Sequence, residues 1–252
     1  MQKLSKKIRK AVAKAKYIKI SFNEHTSLIA NQAINFEKEA IFVAIPKTGT
    51  TTVRGQISPK GIPIIENPHL NILQIRDLIY IHLLRETLGT NRAFPKGNIE
   101  SDAALRLRAN EVFTSFFKFS AVRNPWARAV SLYFRREGIQ LKDKLTFDEF
   151  CEDHIYASDT CRQPTLHQNQ FDWLCSDEGK IIMDYVYKIE DFETAITDIQ
   201  NMTNGRLVLK NEIRNRNPNS KSSDYKNLYN ERSKKLIEKR FEKDIDYFKY
   251  TF

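Results

Sequence analysis

The run Pro46-Lys47-Thr48-Gly49-Thr50-Thr51-Thr52 places an ammonium, a glycine and four hydroxyl side chains within one short turn. Those residue types, in that order, make an anion site. Lys47 brings a full positive charge, and Thr48, Thr50, Thr51 and Thr52 bring hydroxyl donors. Gly49 lets the backbone approach a ligand closely. If a helix starts here, its free N–H groups point at whatever anion sits in the turn. The common nucleoside-triphosphate loop places its lysine after the last glycine of Gly-x4-Gly-Lys-Ser/Thr. Here Lys47 precedes Gly49, so the charge sits on the strand side of the turn. An ordinary strand–turn–helix with a solvated lysine reads the same way, and a second motif has to decide.

That second motif is Arg123-Asn124-Pro125-Trp126-Ala127-Arg128-Ala129-Val130-Ser131-Leu132-Tyr133. Asn124 suits an N-cap and Pro125 the first helical position. Trp126, Val130, Tyr133 and Phe134 recur at i, i+4, i+7 and i+8, one apolar stripe of a helix. Arg123 is left at the end of the preceding strand, and Ser131 lies off the stripe. A guanidinium there can grip a phosphate through its planar fork, with a serine hydroxyl completing the pocket.

The elements that must carry these groups follow from the apolar pattern. Strands are expected at Ala40–Ile45, Phe117–Val122 and Met183–Ile189. Helices are expected from Val53 to Ile57, from Ile72 to Leu88, after Asn124, from Thr146 to Glu152, from Glu190 to Met202 and from Asn230 to Tyr247. The segments 58–68, 89–98 and 211–224, rich in Pro, Gly or Asn and Ser, read as loops. Strands alternating with helices predict one α/β domain, a central parallel β-sheet flanked by helices. Ligands of such sheets bind beyond the carboxyl ends of the strands, where both motifs start.

Composition narrows the function classes. Of 41 basic residues, eight lie in residues 1–20 without an acidic partner, leaving 33 against 31 acidic in the rest. The net charge of +10 is therefore a property of the leader, and no nucleic acid is expected as a partner. The division is a basic leader at 1–20 and a catalytic domain at 21–252. Leu4, Ile8 and Val12 give the leader an amphipathic pattern suited to peripheral contact with an anionic membrane. Cys151, Cys161 and Cys175 show no metal-like spacing, which predicts reduced thiols and no metal. The absence of a membrane-length apolar run and of a signal-peptide pattern predicts a cytoplasmic protein.

The order Pro-Lys-Thr-Gly-(Gly/Thr)-Thr resembles the 5′-phosphosulfate loop of sulfotransferases that use 3′-phosphoadenosine 5′-phosphosulfate (PAPS). Arg-(Asp/Asn)-Pro-x-x-Arg-x-x-Ser-x-Tyr resembles the 3′-phosphate motif of the same family. Similarity extends over most of the chain beyond residue 40, including Asp184–Phe192 and Phe241–Phe252, while residues 151–180 match poorly. The resemblance is to the carbohydrate group, sulfotransferase family 2, in a soluble bacterial-type form. It implies the P-loop-like sulfotransferase fold and PAPS as the sulfuryl donor. Pro46 to Thr52 would then hold the 5′-phosphosulfate, and Arg123 and Ser131 the 3′-phosphate. Lys47 would stabilise the leaving phosphate. His69, in Asn67-Pro68-His69-Leu70, resembles the base of histidine-using members, with His167 as second candidate. The resemblance favours a glycan hydroxyl as acceptor; a peptide tyrosine, a lipid or a phenol offers the same group. Two rival readings are a different nucleotide-dependent phosphotransferase and a non-enzymatic basic protein that binds nucleic acid or membrane.

Overall fold

The computed structural model describes residues 30, 32–58, 69–88, 100–134, 145–154, 168–212 and 222–252. β1 (Ile34–Asn35) pairs antiparallel with β2 (Ala40–Val43). β2, β3 (Phe117–Val122) and β4 (Tyr185–Lys188) run parallel, and the sheet order is β1-β2-β3-β4. Among the described residues, α1 (Thr50–Ile57), α2 (Ile72–Leu88) and α3 (Asp102–Ser115) lie between β2 and β3. After β3 come α4 (Pro125–Tyr133) and a single turn, α5 (Phe147–Glu149), that widens into a π-turn at Phe150–His154. α6 (Phe192–Met202) follows β4, and α7 (Glu231–Arg240) and α8 (Glu242–Phe248) come last.

Strand alternation divides the core into two apolar layers. Ile41, Val43 and Val122 face α2, α3, α4 and α7 through Ile75, Ile79, Leu105, Phe113, Val130 and Ile237. Ala40, Phe42, Phe119 and Ala121 face α1 and α6 through Val53, Ile57, Ala195 and Ile199. A parallel sheet covered on both faces explains why β2 and β3 are buried along their whole length. An eight-residue helix is marginal alone. Burial of Val53 and Ile57, about 1.5–3 kcal/mol each, holds α1 against the sheet.

Register sets the position of the site. Val43 pairs with Ser120, and Val122 with Lys188. The three parallel strands therefore end along one edge, and the turns after them emerge side by side.

The single α/β domain agrees with the sequence pattern, and its departures have local causes. α1 begins at Thr50 rather than Val53, because Gly49 turns the chain with φ 74° and the helix starts at once. α3 is not foreseen: its buried residues Leu105, Ala109 and Phe113 form a stripe one residue wide, and Leu107 is exposed. The expected helix over 230–247 breaks at Phe241 (φ −116°, ψ 28°), giving α7 and α8. Ser222–Leu228, partly inside an expected loop, is a 3-10 helix. Cys151 and Cys175 are free and buried, as expected of reduced thiols. Among the described residues no helix is long and apolar enough to cross a membrane. The leader at 1–20, Cys161, His167, residues 59–68 of the expected loop at 58–68 and the expected loop at 89–98 lie outside the described residues.

Candidate active site

The turn after β2 is held in an uncommon backbone conformation. Lys47 has φ 70° and Gly49 φ 74°, both in the left-handed region. That region costs a non-glycine residue roughly 1–2 kcal/mol, so the surrounding structure must impose it on Lys47. Thr48, between them, is fully buried and its hydroxyl donates to the Ile45 carbonyl at 3.0 Å. This hydroxyl ties the turn to the strand. Gly49 is the N-cap of α1 and brings no capping side chain, so the N–H groups at the head of the helix open toward the turn. A Cβ at Gly49 would lie 2.9 Å from Cδ1 of Ile189, which follows β4. Thr50 and Thr52 are buried and Thr51 half-buried on the first turn of α1.

The turn after β3 reaches the same place. The Arg123 guanidinium donates through Nη1 to the Lys47 carbonyl at 3.2 Å. Asn124 caps α4 as expected, accepting from the Trp126 N–H at 3.1 Å. Its own N–H donates to Glu190 Oε1 at 2.9 Å, and its Nδ2 to the Thr251 carbonyl at 2.9 Å. Burial lowers the Arg123 pKa, opposed by Glu190, Tyr250 and Tyr225. Ser131 is half-buried on α4, about two turns beyond Arg123.

Arg128, the other arginine of that motif, is fully buried. Its Nε donates to the Pro46 carbonyl at 3.1 Å and its Nη1 to the Gln168 carbonyl at 3.3 Å. α4 thus grips the cradle from behind. Burial brings Arg128 down to about 10, with Asp244 opposing, and it remains a cation at neutral pH.

His69 stands just ahead of α2, where Asn71 and Gln74 cap one another's N–H groups at 2.8 and 2.9 Å. Its Nδ1 lies 2.6 Å from the Ala44 carbonyl, the residue that follows β2. A carbonyl only accepts, so Nδ1 carries the hydrogen and Nε2 keeps its lone pair. Burial pushes the His69 pKa down to about 4; Arg54, Lys47 and Arg128 push the same way, and the Ala44 bond opposes them. His69 is therefore neutral at pH 7.

A match to the model of the sulfotransferase family covers residues 90–251. The chain belongs to the sulfotransferase family. Sulfuryl transfer is accordingly its class of chemistry. The matched span holds the Arg123 unit, β4 and α8; the Lys47 cradle lies before it. No curated protein and no solved structure matches the chain.

In this sulfotransferase the structure brings Pro46, Lys47, His69 and Arg123 to one edge, with Thr50 to Thr52 heading α1. Four participants escape a reading of the sequence. Arg54, on α1, is buried, donates to Gln32 and is brought by burial to about 10. Arg128 stood within the motif without an assigned task. Gln170 and Asp244 are wholly buried polar groups. Asp244 carried one usable signal, a carboxylate three residues after Phe241 on the inward side of an amphipathic helix. Among the described residues, no group of three or more His, Cys, Asp or Glu could hold a metal ion.

Proposed function

We propose that this sulfotransferase moves a sulfuryl group from PAPS to an acceptor hydroxyl, with a glycan as the acceptor class. The observation that carries the reading is the contact of Arg123 with the Lys47 carbonyl, which joins the two phosphate motifs at one edge. The group set suits a polyanion: Lys47, Arg54 and Arg128 act on a neutral imidazole, and Arg123 acts on Arg128. PAPS supplies the sulfuryl group and departs as the 3′,5′-bisphosphate.

The chain's own residues then have separate tasks. The N–H groups at the head of α1, with Pro46 to Thr52, hold the 5′ end, and Arg123 with Ser131 the 3′-phosphate. His69 takes the acceptor proton on Nε2 as the new sulfur–oxygen bond forms and the bond to the phosphate oxygen breaks. Such a base is worth about 10²–10⁴ in rate. The Lys47 ammonium meets the charge that develops on the departing phosphate oxygen. The bond to Ala44 fixes which nitrogen of His69 does this. His167 is the alternative base. A cytoplasmic setting and contact of residues 1–20 with anionic lipid complete the proposal.

The test is transfer of radiolabelled sulfate from PAPS to a panel of glycans, tyrosine peptides and phenols. Label on a glycan is expected, and none after His69→Ala. Stabilisation by ATP·Mg but not by the desulfated donor, with no label moved, overturns the reading.

A further inference from the structure

The Arg123 turn is not held by the sheet. β3 ends at Val122, and the main-chain groups of Arg123 pair instead with one side chain from a distant segment. Gln170 Oε1 accepts from the Arg123 N–H at 2.8 Å, and Gln170 Nε2 donates to the Arg123 carbonyl at 2.8 Å. These are the two bonds a neighbouring strand would make. The second Nε2 hydrogen goes to Asp244 Oδ2 at 3.2 Å. Asp244 also accepts from the main-chain N–H of Gln170 and of Phe171, each at 2.8 Å. Every donor of the Gln170 amide is engaged, so its oxygen and nitrogen cannot exchange places. Gln170 and Asp244 are both 0% exposed, so no solvent replaces a missing bond. Burial raises the Asp244 carboxyl, while its N–H partners and Arg128 favour the ionised form.

We propose that Gln170, itself locked by Asp244 of α8, is a positioning residue that aims the Arg123 guanidinium at the donor's 3′-phosphate. The inference rests on Arg123 being that phosphate's partner. A planar fork needs its backbone fixed to within a fraction of an ångström to keep bidentate geometry. Among the described residues, Gln170 alone is bonded to both the N–H and the carbonyl of Arg123. The break of the chain at Phe241 turns α8 so that Asp244 faces this amide, which gives the kink a task.

The test uses Gln170→Leu and Gln170→Glu in the full chain. Amide hydrogen exchange at Arg123 should quicken roughly tenfold in Gln170→Leu, while the Phe119 and Ala121 amides of β3 keep their protection. The dissociation constant of 3′-phosphoadenosine 5′-phosphate should rise by a similar factor. In turnover, KM for the donor should change more than kcat. Gln170→Glu sets a carboxylate against Asp244, so its affinity relative to wild type should recover as pH falls from 8 to 5.5, once the new carboxyl can donate. Unchanged exchange at Arg123 in a folded variant overturns the proposal, as does unchanged affinity with quickened exchange. If Gln170→Leu does not fold, the pH profile of Gln170→Glu decides, and a flat profile overturns it. Failure of the wild-type chain to bind the bisphosphate sinks the donor reading instead, and exchange at Arg123 alone then decides whether Gln170 holds the turn.

Discussion

Arg123 reaches across from the end of β3 to donate to the main-chain oxygen of Lys47 at 3.2 Å. The two residues are far apart in the chain, and each lies in the turn that follows a parallel strand of the same sheet. The bond ties the arginine to the backbone of the cradle through the main-chain carbonyl of the lysine. It also brings the turn after β2 against the turn after β3 at one end of the sheet.

Lys47 adopts φ 70°, so its backbone and its side chain have opposed interests. Lys47→Gly should leave stability toward denaturant unchanged or raise it by up to about 1 kcal/mol, since glycine carries no penalty there. Lys47→Ala keeps the strain. Both should cut kcat by roughly 10²–10³, the usual loss for a group that stabilises developing charge. Equilibrium unfolding and steady-state turnover of the two variants check this, and near-normal turnover in either contradicts the role of the ammonium.

Gly49 is constrained twice, by φ 74° and by Ile189, whose Cδ1 lies 2.9 Å from where a Cβ would stand. Gly49→Ala should cost roughly 2 kcal/mol, part from the dihedral and part from overpacking. Adding Ile189→Val removes the nearer methyl and should return only the second part. A double-mutant cycle by chemical denaturation measures both shares. A Gly49→Ala protein as stable as wild type contradicts the geometry of the turn.

His69 is neutral in the folded chain because burial and three cations depress it to about 4. Its folded pKa lies below the ordinary value near 6.5, so the stability it contributes is fully present above that value. That share is lost as pH falls from about 6.5 toward 4. An NMR titration of the imidazole should give a midpoint near 4 in the free protein, and a higher one with the bisphosphate bound, whose negative charge favours the imidazolium. A free-protein midpoint near 6.5 contradicts the burial and the influence of the three cations.

Both motifs were legible because each is local. Residues 46–52 and 123–133 carry their turn, cap and charges within a dozen positions, and Asn124 and Pro125 start α4 where their residue types require. The residues that secure those turns were not legible. Gln170 lies 47 positions from Arg123, and Asp244 lies 74 from Gln170. Nothing short of the fold says that they meet. β1 is only two residues long, and α3 buries too narrow a stripe to stand out from the charged residues around it. The kink at Phe241 has no glycine or proline to announce it.

The central claim is that one donor molecule spans both turns, and calorimetry with two ligands tests it most directly. Titrations should compare 3′-phosphoadenosine 5′-phosphate with adenosine 5′-phosphate, on wild type and on Arg123→Ala. Wild type should prefer the bisphosphate by about 1.5–3 kcal/mol, and Arg123→Ala should lose most of that preference while binding the monophosphate as before. An equal preference in both proteins would contradict the account, because the 3′-phosphate would then rest on some other group.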